Sequence, residues 1–234
     1  MSTLSLELQN KIKQAPKKPL HGFDPVRYMG TSHPYLGLAT KTKEDIAKAF
    51  FQHHNNLSFE DLTKIITELM LGSSFEEKTV GPFLLNCYKH YNSLITPNHI
   101  ERWLMYLEGW CEIDTLCQNR LEEQTILHNW DLWEKGLKRF ARHNNINHRR
   151  ASLVLLCKPI RKTTDKRIYN LAITNIELLK NEKDILITKA ISWILRESTK
   201  KFKEGVSEYL KKNINSLPAI AVRETKRKLA TGRK

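Results

Sequence analysis

Lys183–Glu197 reads KDILITKAISWILRE, and the spacing within this stretch decides the fold class. Ala190, Trp193, Ile194 and Glu197 recur at helical intervals, and Ile191 and Leu195 form an adjoining apolar ridge. Small Ala190 beside bulky Trp193 allows either close packing or an exposed ring. The same period runs outward in both directions. It is present in Lys43–Phe51, Ser58–Met70, Glu76–His90, Pro97–Leu116, Glu122–Leu127 and Trp130–Arg142. It continues through Arg149–Leu156, Lys166–Ile176, Lys201–Lys212 and Pro218–Ala230. No stretch alternates long enough to make a sheet.

Local chemistry supports several of these starts. Ser58 offers an N-cap hydroxyl ahead of Glu60 and Asp61, and Thr96–Pro97 puts proline at the first helical position. Ser73 or Ser74 can cap ahead of Glu76 and Glu77. Ten or eleven helices are expected, and the helix pairs recur every ~35–40 residues, near the period of HEAT-type repeats. The expected fold is therefore all-α, a curved HEAT-like solenoid in which every second helix lines a concave face. A compact irregular helical globule is the alternative. Residues 1–40 differ: Ala15–Pro19 is a poor helix, and His33–Leu38 is a turn. This lead segment is expected to pack as short helices on the first repeat of a single 1–234 domain, with its extreme end loose.

Charge is distributed unevenly. Residues 1–146 hold 17 Lys+Arg and 17 Asp+Glu, whereas residues 147–234 hold 22 against 8 and carry the whole net +14. A sustained excess of one sign is a footprint for a polyanion, nucleic acid first, with an acidic protein, a membrane surface or a merely solvated tail as alternatives. The cations Lys158, Arg161 and Lys162 fall where helices end, so on a solenoid they would line one edge. Composition narrows the class further. No spanning helix and no signal peptide is evident, so a cytoplasmic protein without membrane association is expected. Cys87, Cys111, Cys117 and Cys157 are too few and too irregular for a disulfide framework or a zinc site. No phosphate loop, metal-hydrolase or deaminase motif appears, so no cofactor and no metal is expected.

Three constellations can carry chemistry. Trp110 and Asp114 stand four apart, which on a helix puts an indole and a carboxylate on one face; Glu112 points elsewhere, toward solvent. A core tryptophan with a locally paired aspartate fits that spacing equally well. Arg149 and Arg150 open a short apolar helix where the charge turns positive, and only one of them can share a face with a site. Trp193 is the third, with Arg196 and Glu197 able to brace neighbouring helices.

Together, Tyr35–Gly37, Trp110 with Asp114, Arg150 ahead of Ala151–Leu153, and Lys189–Glu197 resemble the AlkD-like DNA alkylation repair family, HEAT-repeat DNA glycosylases, over roughly residues 25–230. The resemblance implies active-site tryptophans at Trp110 and Trp193, a catalytic carboxylate at Asp114, and a phosphate-gripping arginine at Arg150 rather than Arg149. It implies a lead-segment contact from Tyr28 or Tyr35. Where the family often has tryptophan three residues before that arginine, this chain has Asn147, a packing position. The implied activity is a monofunctional glycosylase of base excision repair. It would excise cationic alkylated purines (3-methyladenine, 7-methylguanine) from double-stranded DNA, as a monomer and without base flipping. Some relatives bind branched or distorted DNA without catalysis, and that is the alternative.

Overall fold

The computed structural model describes residues 2–19, 21–119 and 122–233. Among them every regular element is helical: fourteen α-helices and one 3-10 helix, Lys89–Leu94. The all-α expectation holds, and no helix among the described residues is long and apolar enough to cross a membrane. The chain divides into two compact units, Met1–Arg120 and Leu121–Lys234.

The first unit contains α1 (Thr3–Gln14), α2 (Pro25–Met29), α3 (Thr40–His53), α4 (Phe59–Met70), α5 (Phe75–Cys87), α6 (Pro97–Leu104) and α7 (Gly109–Gln118). Its hub is α5, buried from Phe75 through Leu85 and packed on α1, α3, α4 and α7. The apolar stripe of α4 (Leu62, Ile65, Ile66, Leu69, Met70) is buried, each large side chain contributing about 1.5–3 kcal/mol. Caps fall where the side-chain chemistry allows. The Ser58 hydroxyl accepts from the Asp61 N–H, and of the two candidates ahead of α5 it is Ser74 that forms a capping box with Glu77.

Three expectations need correction. The window Pro97–Leu116 is two helices, because Gly109 takes a φ of +64° and a Cβ there would lie 2.2 Å from the Met29 carbonyl oxygen. That break and the lead-segment helices α1 and α2 raise the helix number above ten or eleven. Nor is the start loose from Ser2 onward. The Ser2 N–H (2.9 Å), the Ser2 hydroxyl (2.6 Å) and the Ser5 hydroxyl (2.6 Å) all donate to Glu68 of α4. Met1 itself lies outside the described residues.

The second unit contains α8 (Glu123–His128), α9 (Trp130–Ala141), α10 (Ile146–Ile160), α11 (Lys166–Leu179), α12 (Ile185–Ser198), α13 (Lys203–Lys212) and α14 (Ala219–Thr231). α10, α12 and α14 pack side by side, and α9, α11 and α13 pair with them in turn. The paired helices start at 130, 166 and 203 in one layer and at 146, 185 and 219 in the other, which is the repeat read from the sequence. Polar contacts tie each repeat to the next. Arg149 pairs with Glu182, Lys180 reaches Asn213, and Ser192 and Arg196 both reach Glu224. The bracing role expected of Arg196 is therefore met. This unit holds 26 Lys+Arg against 12 Asp+Glu, while the first holds 13 of each.

Candidate functional site

In the first unit the site is built on α7. Trp110 and Asp114 sit one turn apart on this helix, both half-buried, so the same-face spacing is realised. The Trp110 indole N–H donates to the Tyr28 carbonyl at 2.7 Å, and the two rings meet edge-to-face at 5.4 Å. Tyr28 is 61% exposed. The aromatic run continues from Tyr28 through Phe23 and Tyr35 to Phe75. Tyr28 is thus the tyrosine in contact with Trp110, and Tyr35 stands two rings further on. Burial raises the Tyr35 hydroxyl, with Glu76 and Cys111 adding to the effect. Burial also lifts the Cys111 thiol to about 11, a shift to which Asp114 and Glu112 contribute, so this cysteine is a thiol and not a nucleophilic thiolate at neutral pH.

Glu112 is not a solvent residue. It is fully buried, and its carboxylate accepts from the Thr31 hydroxyl (2.6 Å), the Glu108 N–H (2.8 Å) and the His33 ring (2.9 Å). A buried carboxylate needs such partners to offset several kcal/mol of desolvation. In the structure Glu112 lies in the first turn of α7 and reaches back to the N-cap N–H, a position hidden in the sequence because Pro97–Leu116 reads as one helical window. The partners from residues 31–33 carried no signal either. Glu76 was likewise read only as a helix-start acid, yet it is fully buried and accepts from the backbone N–H groups of Leu36, Gly37 and Leu38.

In the second unit, α10 and α12 hold the remaining candidates. The Arg149 fork grips Glu182 at 2.8 and 3.2 Å and the carbonyls of His143 and Asn144. Arg150 is only 4% exposed, and its guanidinium donates to the Leu186 carbonyl in the first turn of α12. Asn147 is buried beside it, as a packing position should be. On α12, Ala190 is fully buried whereas Trp193 is half-buried, its N–H donating to Glu197 at 3.2 Å. The other oxygen of Glu197 faces Arg161 at 3.5 Å, so one carboxylate links Trp193 to Arg161 across two repeats. Lys158 (2.8 Å) and Lys162 (2.6 Å) converge on Glu122. Burial would raise that acid, but the two ammonium groups hold it at about 2. Arg149, Lys158, Arg161 and Lys162 are thus all engaged by acids of their own unit.

A model of the family described as DNA alkylation repair enzyme matches residues 15–229. The chain belongs to that family. The match spans α2 to α13 entirely and so includes every candidate residue in both units. Among solved structures, a protein of Enterococcus faecalis described as a predicted DNA alkylation repair enzyme superposes with a TM-score of 0.75. It is 19% identical, over 94% of this chain and 99% of that one, a likeness that shows the fold. No curated protein matches.

Proposed function

We propose that this DNA alkylation repair family member is a monofunctional DNA glycosylase for cationic alkylpurines, with residues 1–234 acting as one functional domain. The observation that carries the reading is α7. It presents a half-buried indole and a carboxylate on one face, with the indole oriented by a hydrogen bond.

The chemistry suits those groups. Alkylation at N3 of adenine or N7 of guanine leaves the base positively charged, so the C1′–N bond breaks with its electron pair going to the base, which departs neutral. No protonated acid is needed for that departure. The sugar acquires oxocarbenium character, which the Asp114 carboxylate stabilises while accepting a proton from the water that adds to C1′. Indole faces at Trp110 and Trp193 favour cationic groups by about 0.5–2 kcal/mol each. Arg150 is assigned the backbone phosphate, and the excess charge of the second unit supplies sequence-independent affinity for duplex DNA. A site that holds deoxyribose and backbone leaves the lesion stacked rather than flipped.

The test is base release. Purified protein incubated with methylated duplex DNA should liberate 3-methyladenine and 7-methylguanine and leave abasic sites. Absence of release, together with preferential binding of branched over linear duplex, would instead establish a non-catalytic DNA-structure-binding protein.

A further inference from the structure

Residues Thr31–Leu38 have no regular structure, yet carboxylates hold them along their length. Glu112 on α7 takes the hydroxyl of Thr31 and the ring of His33, and Glu108 at the head of that helix takes the N–H (2.9 Å) and hydroxyl (2.6 Å) of Ser32. Glu76 on α5 takes three successive N–H groups, at 2.9, 3.0 and 3.1 Å, from Leu36 to Leu38. Two of the three acids, Glu112 and Glu76, are fully buried. An apolar side chain would fill either place without desolvation cost. What a carboxylate adds is a set of directional bonds.

The strap begins where α2 ends. Gly30 closes α2 by donating to the Val26 carbonyl at 2.8 Å, and Thr31 follows at once. Anchoring Thr31 to Glu112 therefore fixes the end of α2 three residues from Tyr28, whose carbonyl receives the Trp110 indole. Glu112 itself stands two positions from Trp110, about 200° around the helix, so it faces away from the indole. The geometry points to Glu112 as a positioning residue for the glycosylase site: through Thr31 and α2 it sets the orientation of the Trp110 indole. This inference rests on the catalytic reading of α7.

Two substitutions test it independently. Glu112→Met keeps the length of the side chain and removes both acceptor oxygens, so neither the Thr31 hydroxyl nor the Glu108 N–H finds its partner there. Thr31→Val removes the hydroxyl with little change of shape, and Thr31→Ser restores it. The direct readout is the Trp110 indole N–H resonance, assigned by its disappearance in Trp110→Phe and compared with those of the other four tryptophans. In folded Glu112→Met and Thr31→Val that resonance should move while the other four hold, and Thr31→Ser should return it. Single-turnover release of 7-methylguanine should fall at least about tenfold, with duplex affinity within about threefold, as expected for misplacement rather than lost binding. A Trp110 resonance that stays in place in either folded variant overturns the inference, as does one that moves with no change in rate. If the parent releases no base, the glycosylase reading fails, and the resonance alone decides whether the strap sets the indole.

Discussion

The indole N–H of Trp110 is bonded to the main-chain carbonyl of Tyr28 across 82 positions of chain. An indole held this way keeps its face fixed before any ligand arrives, which is the preorganisation a cation-selective surface needs. Trp110→Phe keeps an aromatic ring and removes the donor. It should lower stability by about 1 kcal/mol, the usual worth of one such bond. It should also slow release of 7-methylguanine more than that of the more labile 3-methyladenine. Trp193→Ala should show the same substrate bias. Competition between the two methylpurines measures it, and equal losses on both bases would contradict the assigned role.

Asp114 is the carboxylate given the developing sugar charge. Asp114→Asn should reduce single-turnover release by at least about a hundredfold, the scale seen when one electrostatic contributor to a transition state is removed. Affinity for undamaged duplex should stay equal or rise slightly, since a negative charge leaves the interface. A variant as fast as the parent would remove Asp114 from the mechanism.

Glu122 holds Lys158 and Lys162 together, and DNA phosphates would have to compete with it. Glu122→Gln should free both ammonium groups, so duplex affinity at low salt should increase. The slope of log K against log salt should steepen by about 0.9 for each further phosphate that is neutralised. Fluorescence anisotropy across a salt series checks this. An unchanged slope would mean that the two lysines do not reach DNA.

Glu68 ties the start of α1 to α4. Burial works to raise its pKa, but hydrogen bonds from Ser2 and Ser5 outweigh that and bring it to about 2, against an ordinary 4.5. A depressed pKa gives stability that is fully present above the unfolded value and is lost as pH falls through the folded one. Glu68→Gln should therefore be less stable than the parent at pH 7, and the gap should close between pH 4.5 and about 2. Urea midpoints measured across that window decide it.

Helix-forming windows were legible from apolar spacing because burial on one face of a helix writes itself every three to four residues. The exceptions have specific causes. Gly109 ends one helical window and begins another because of a backbone approach from Met29, a residue 80 positions earlier, and nothing local announces it. The pairing of Trp110 with Asp114 was legible because it depends on one helix alone. Glu112 was misread for the opposite reason. An acid between a cysteine and an isoleucine looks solvated until the hydroxyl and imidazole that satisfy it arrive from residues 31 and 33. Lys158, Arg161 and Lys162 were correctly placed near a helix end, but their engagement by Glu122 and Glu197 is a property of stacked repeats.

The three N–H groups gathered by Glu76 bear on how residues 36–38 exchange with solvent. An irregular stretch ordinarily trades its amide protons quickly, because little must open to expose them. Here each proton is bonded to a carboxylate rooted in the most buried helix of the unit. Exchange at Leu36, Gly37 and Leu38 should then wait for α5 itself to open. In a deuterium time course these amides would behave as part of the core, while those at residues 21–23, at least thirteen positions earlier, label at once.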